Sequence, residues 1–259
     1  MISDQSAGQR DDAVQQMIDT VAVGCRILGA EGHSDLVWGH AAGRDPLGRG
    51  VWMKANDRGF EEVDEEGVIL VDREGNVLEG IGGRHVEYPI HTELMAARPD
   101  IGGVAHTHSE HAVALASAGQ TLLPLSHAAN LFVPPEVPRF TLTGDLITSP
   151  ELGQALADSL GKHNAVFLVN HGIVTVGKDV ESAVVRAVIL ERACRMQLLV
   201  KSFGGWPTWS DPEESLSKRN NIYPHAHLHQ VWRYLRRQLG PGGASGWISD
   251  RSLSDRESR

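Results

Sequence analysis

His106 and His108 stand two residues apart in Val104-Ala105-His106-Thr107-His108-Ser109, at the end of a short apolar run of strand length. Alternate side chains of a strand leave the same face, so the spacing points both imidazoles to one side. Two imidazoles on one side supply part of a site for a borderline divalent ion, which takes three or four nitrogen, oxygen or sulfur ligands. A His-x-His pair alone is as often incidental as functional. His171 adds a third nitrogen, because it falls where the apolar run from Ala165 to Val176 breaks at Asn170-His171-Gly172, the kind of strand end that presents ligands. The chain carries 13 histidines, so placement at strand ends, and not number, singles out these three. Glu87 lies just ahead of a helical pattern, where a lone glutamate ordinarily complements the helix dipole at the surface.

The elements that must position these residues follow from periodicity. Apolar residues recur at helical spacing over 12–30 (Val14, Met17, Ile18, Val21, Cys25, Leu28), with Glu31-Gly32 as a stop. A β-rich stretch follows, with strands expected at Leu36 to Trp38 and Val51 to Lys54 and a hairpin over 67–79 that turns at Arg73 to Asn76. Helices are expected at 87–98, 110–117 and 151–163, and strands at 101–108 and 165–176. Asp179 is a good N-cap for a long helix that runs to about Ser202. Beyond Phe203 the composition shifts to Trp, Pro and Ser, a helix is expected at 231–239, and a Gly/Ser/Arg tail over 241–259 reads as disordered. Alternating strands and helices with one antiparallel hairpin predict an α/β sandwich around a mixed sheet.

A length of 259 residues with 41% hydrophobic content suits one large α/β domain. The net charge of -9 is spread without a long acidic or basic run, which argues against nucleic acid or an anionic membrane as partner and for a small molecule. No stretch approaches the roughly 20 apolar residues of a membrane span, and the opening residues are too polar for a signal peptide, so a cytoplasmic protein is expected. The two cysteines, Cys25 and Cys194, fall on apolar helical faces as small hydrophobes, and neither a disulfide nor a cysteine metal site is expected.

The run from Glu87-Tyr88-Pro89-Ile90-His91 through Val104-Ala105-His106-Thr107-His108, followed by Asn170-His171-Gly172, resembles the class II aldolase/adducin-head family over residues 12–202. The resemblance implies a three-layer α/β/α sandwich around a mixed, largely antiparallel central sheet. It implies one divalent ion per subunit, zinc or manganese with ferrous iron also open, held by His106, His108 and His171, and Glu87 as the group that moves a proton. It further implies a homotetramer with active sites at subunit boundaries. Residues 203–240 would then form a helical extension over such a boundary, bringing Tyr223 toward a site.

Sugar-phosphate aldolases of that family grip phosphate with three short segments rich in hydroxyl and amide groups, and this chain departs at all three. The segments read Gly39-His40-Ala41-Ala42, Met53-Lys54-Ala55-Asn56-Asp57 and Arg84-His85-Val86-Glu87. Lys54 and Arg84, with the imidazoles of His40 and His85, instead suit one or two carboxylates on a flat ring. The Trp52-Met53-Lys54 and His85 to His91 segments resemble the family's decarboxylase branch, which acts on hydroxylated aromatic or pyridine dicarboxylates. Decarboxylation beside a ring hydroxyl and aldol cleavage both leave a metal-stabilised carbanion, so aldolase is the runner-up. Non-haem iron oxygenase and a non-enzymatic adducin-like module are the other readings, the latter opposed by Glu87 and the three histidines. His91, His111 and His127 read as structural, and the run His225-Ala226-His227-Leu228-His229 as surface or subunit packing.

Overall fold

The computed structural model describes residues 2–205 and 208–240. The helical pattern expected over 12–30 extends upstream to form α1 (Ile2–Ala30). The sheet is built from β1 (His40–Arg44), β2 (Val51–Lys54), β3 (Val68–Val71), β4 (Val77–Glu79), β5 (Gly103–Thr107), β6 (Arg139–Phe140), β7 (Ala165–Leu168) and β8 (Gly172–Gly177). Strand order is β4-β3-β2-β1-β5-β8-β7-β6. Every pairing is antiparallel except the parallel β6–β7 edge. The remaining helices are α2 (Pro89–Ala97), α3 (Glu110–Ser117), α4 (His127–Asn130), α5 (Pro150–Leu160), α6 (Val180–Ser202), α7 (Pro212–Ile222) and α8 (His225–Gln238).

Period-two alternation splits the sheet's side chains between two cores, and this creates the three layers. Ala41, Trp52, Leu70, Ala105, Phe167 and Ile173 join Val21, Leu28, Val184 and Trp232 on the face covered by α1, α3, α6 and α8. Ala42, Met53, Ile69, Val104, Val166, Leu168, Val174 and Val176 join Ile90, Leu94 and Leu156 on the face covered by α2 and α5. The architecture is thus the expected α/β/α sandwich around a mixed, largely antiparallel sheet. Cys25 and Cys194 are free and buried, and burial pushes the Cys25 thiol up to about 11.

Several local expectations change. Residues 36–38 form no strand: Leu36 is left-handed at φ 52° inside a tight turn that leaves only an isolated bridge between Asp35 and Trp38. The strand beside it is β1, whose residues His40-Ala41-Ala42-Gly43-Arg44 carry no β-branched side chain and pair because β2 and β5 flank them. His127 opens the short α4, where no helix was expected. The C-terminal region holds two helices where one was expected, and α8 starts at His225, six residues ahead of Val231, the start expected for a single helix. The expected tail at 241–259, with Trp206 and Pro207, lies outside the described residues. Among the described residues, no helix is long and apolar enough to cross a membrane.

Candidate metal centre

β5 carries His106 on the α2/α5 face, and His108 follows two residues later, immediately ahead of α3. His171 sits in the tight β7–β8 turn, which Asn170 makes with φ 58°, a left-handed conformation that asparagine tolerates. Gly172 lets this turn close on β5: a Cβ there would lie 2.5 Å from the Thr107 carbonyl oxygen and 2.9 Å from His108 Cδ2. Glu87 enters from the segment before α2, buried, with Oε1 accepting the Ile147 N–H at 2.8 Å. One ligand atom from each of Glu87, His106, His108 and His171 lies within 4.8 Å of all the others.

Hydrogen bonds made by the far side of two rings fix which nitrogen is offered. His106 Nδ1 faces the Ile173 carbonyl at 3.0 Å and His108 Nδ1 faces the Asp35 carboxylate at 2.7 Å, so in each neutral ring the hydrogen belongs on Nδ1. The two Nε2 lone pairs then confront each other at 3.2 Å, an arrangement that repels unless a cation lies between them. His171 Nε2 is buried with no hydrogen-bond partner. Glu87 Oε2 and Oε1 lie 3.7 and 3.6 Å from His106 Nε2 and His171 Nε2. Ligand atoms around a tetrahedral ion with bonds of about 2.0–2.1 Å are about 3.3 Å apart, so the donor set fits one divalent ion. Burial and the neighbouring His106 hold His108 down to about 4 against the opposing pull of Asp35, which leaves the ring neutral as a ligand must be. Burial raises the Glu87 carboxyl, and His106 and His171 pull it well below the usual carboxylate range in so far as they carry positive charge, which a divalent ion held by the neutral rings would supply in their place.

A second set of imidazoles abuts the first. His40, across the β1–β5 ladder from His106, has its ring 5.0 Å from that of His106, 4.4 Å from His85 and 4.8 Å from His91. Its Nδ1 meets His91 Nε2 at 2.6 Å. Burial first, and mutual repulsion second, drives His40 well below its ordinary value, and burial likewise takes His85 and His91 to about 3. These rings are therefore neutral hydrogen-bonding groups, which corrects the expectation that His40 and His85 add positive charge.

The expected carboxylate anchors are placed differently. Lys54 is fully buried and its ammonium donates to the carbonyls of Val37 (2.8 Å), Ala55 (3.2 Å) and Arg58 (2.5 Å), which uses all three of its hydrogens. It has no donor left for a substrate, and a fixed cation beneath the site replaces the expected contact. Arg84 lies over the Tyr88 ring at 4.3 Å with Nε donating to the Gly75 carbonyl at 2.5 Å. Its Nη1 makes only a long 3.4 Å contact with the His85 carbonyl, so the outer edge of the guanidinium retains donors. His85 Nε2 is buried without a partner. Tyr223 ends α7 and packs, half-buried, against the α1/α6 core, so within one chain it does not join the cluster.

Asp35 and His33 escaped the sequence analysis. Asp35 orients His108, and His33 hydrogen-bonds Thr107 Oγ1 at 2.9 Å from behind β5, held neutral by burial at about 4. Both belong to a loop without regular structure, and the only signal was two more chemistry-bearing residues ahead of Trp38. His111 is structural as expected: with the N–H groups of His111 and Ala112 it receives Glu191 from α6, which supplies the N-terminal acceptor of α3.

The sheet, its helical layers and the His/Glu cluster at its strand ends define a class II aldolase fold. A family model described as Class II Aldolase and Adducin N-terminal domain matches residues 19–198. The chain belongs to this family, and proteins named as aldolases and decarboxylases are among those it is similar to. It is 30% identical over 230 residues to a 3,4-dihydroxyphthalate decarboxylase of Arthrobacter keyseri, covering 83% of this chain and 91% of the relative. It is also 30% identical over 158 residues to a 4-hydroxy-3-prenylphenylpyruvate oxygenase/4-hydroxy-3-prenylbenzoate synthase of Streptomyces roseochromogenus subsp. oscitans, covering 60% of this chain and 56% of that protein. Among solved structures, an L-fuculose 1-phosphate aldolase from Glaciozyma antarctica superposes with a TM-score of 0.78 at 24% identity, covering 90% of this chain and 94% of that one.

Proposed function

We propose that the protein is a metal-dependent carboxy-lyase that removes carbon dioxide from a hydroxylated aromatic or pyridine dicarboxylate. The observation that carries the metal part is the pair of bare Nε2 atoms of His106 and His108, 3.2 Å apart, beside the unpartnered Nε2 of His171. The similarity to a 3,4-dihydroxyphthalate decarboxylase along most of the chain supports the substrate class. A divalent ion held by His106, His108 and His171 would supply Lewis acidity, drawing electron density through the ring hydroxyl and lowering the barrier to carbon–carbon cleavage by several kcal/mol.

Glu87 moves the proton. Ionised in the resting site, its carboxylate accepts the proton of the ring hydroxyl as substrate binds. After carbon dioxide leaves with its carbon–carbon bond broken, the same proton passes to the ring carbon that held it. The Ile147 N–H fixes Oε1 and leaves Oε2 to make both transfers. The carboxylate that stays on the product is assigned to the outer edge of Arg84, beside the neutral His85 ring, which holds the substrate ring while the departing group turns out of its plane. Lys54 takes no part in binding. A homotetramer that brings Tyr223 to a neighbouring site belongs to the same proposal, and it is supported by the exposed apolar Phe203, Leu199 and Trp209 on the outer surface.

The test is carbon dioxide release from a panel of hydroxylated phthalate-like and pyridine dicarboxylates by enzyme reloaded with zinc, manganese or ferrous iron, beside retro-aldol assays on sugar phosphates. Decarboxylation with zinc or manganese is expected. Cleavage of a phosphorylated sugar with no decarboxylation would make it an aldolase, and turnover only with ferrous iron and oxygen would make it an oxygenase.

A further inference from the structure

The run from His225 to His229 is helical, and a helix separates its three histidines in a way that a strand would not. Residues two apart on a helix diverge, whereas residues four apart share a face. His227 accordingly turns back to the Ile222 carbonyl at 3.1 Å. His225 and His229 converge instead on one atom, with their Nε2 nitrogens 3.1 and 3.0 Å from Asp179 Oδ2 and their rings 4.6 Å apart. The other oxygen of Asp179 is occupied, since Oδ1 accepts the Ser182 N–H at 2.8 Å and caps α6.

We propose that Asp179, His225 and His229 form a second metal site, for a borderline divalent transition ion of the zinc, copper or nickel kind. The donor set is two imidazole nitrogens and one carboxylate oxygen, a combination that suits such ions and disfavours magnesium or calcium. The N···O separations of 3.0 and 3.1 Å are close to the roughly 3.3 Å between ligand atoms around a tetrahedral ion. The three atoms lie within 4.8 Å of one another.

Packing on both sides sets this geometry. Leu228, Trp232 and Leu235 are buried and fasten α8 to α6 and α1, with His225 and His229 bordering the same seam. Asp179 is pressed against the start of β5, where a Cβ on Gly103 would come within 2.5 Å of the Asp179 carbonyl oxygen. The site thus sits at the opposite end of β5 from His106. The side chains of His225, His229 and Asp179 are 41%, 31% and 28% exposed, which opens a path from solvent for the ion and leaves room for water as a further ligand. A bound ion would fasten the C-terminal helix to the head of α6 without touching the His106 cluster.

The experiment uses the full-length protein, stripped of metal and dialysed against micromolar zinc, with bound metal counted by mass spectrometry. Wild type is expected to hold two ions per chain, and the double variant His225→Ala/His229→Ala one. Each single variant should bind the second ion at least roughly tenfold more weakly, since loss of an outer-shell partner alone costs about 10- to 100-fold in metal affinity. His106→Ala should lose the other ion and keep this one, so the two sites fail separately. Zinc should raise the melting temperature of His106→Ala, and the rise should vanish when His225→Ala/His229→Ala is added. The proposal is overturned if wild type and the double variant bind the same number of ions with the same zinc-dependent melting shift, which would make the trio a hydrogen-bonded cluster only.

Discussion

Asp35→Ala gives the sharpest test of how the principal centre is built. His108 offers Nε2 to the cluster because Asp35 holds the hydrogen on Nδ1 through a 2.7 Å contact. Without that acceptor the hydrogen is free to reside on Nε2, the atom an ion requires, and the ring loses its orientation. A charge-assisted hydrogen bond is worth about 1.5–3 kcal/mol. The Asp35 side chain is 39% exposed, so solvent screens the contact and the lower end applies. About 1.5 kcal/mol is roughly a tenfold loss in metal affinity, the bottom of the range for such partners. Asp35→Asn keeps an acceptor oxygen and should fall between the wild type and the alanine variant. Competition against a chelator of known affinity measures the dissociation constant, and turnover at saturating metal should largely recover. Unchanged affinity in Asp35→Ala would refute the tautomer argument. Loss of turnover that excess metal cannot restore would show that Asp35 acts on the substrate and not through His108.

The other predictions concern the proton carrier, the closing turn and the buried lysine. Glu87→Gln should retain metal and bind substrate but lose turnover by about 10² to 10⁴, measured by carbon dioxide release, because the amide cannot carry the proton between hydroxyl and carbon. Gly172→Ala should cost about 1–3 kcal/mol in a denaturant melt and weaken metal binding as well, since the added methyl meets the rigid Thr107 carbonyl. Burial lowers Lys54 to about 8 from an ordinary 10.5, so between these values the unfolded chain binds more protons than the folded one and stability rises with pH. Relative to Lys54→Met, wild type should therefore gain up to about 3 kcal/mol as pH climbs from about 8 to 10.5, with no gain below. A flat difference would mean that the ammonium is solvated.

Metal capacity was legible in the sequence because strand periodicity is local. His106 and His108 share a face in any strand, and the break at Asn170-His171-Gly172 marks a turn whatever it packs against. The opening helix, α3 and the capped α6 were legible for the same reason, as was the β3–β4 hairpin. Recognition of the family pattern around Glu87 added a carboxylate that no local rule would have chosen, since a glutamate before a helix is ordinarily exposed.

Tertiary structure decided what each side chain does once placed. β1 is a strand because β2 and β5 supply its hydrogen bonds, and its own residues carry no such preference. Lys54 read as a cation for a substrate carboxylate, yet three carbonyls from Val37, Ala55 and Arg58 consume it, and only the folded loop brings those oxygens together. His40 and His85 read as potential charges and His91 as structural, yet crowding the three into one dry cluster makes protonation costly and leaves them all neutral. Asp35 and Asp179 find His108 and His229 at separations of 73 and 50 residues, contacts that no local pattern encodes. The sequence by itself determined which residues could bind a metal and on which face of their element they stand. The fold decided which of them meet, which are already satisfied, and which remain available for chemistry, because burial and hydrogen-bond saturation depend on neighbours distant in the chain.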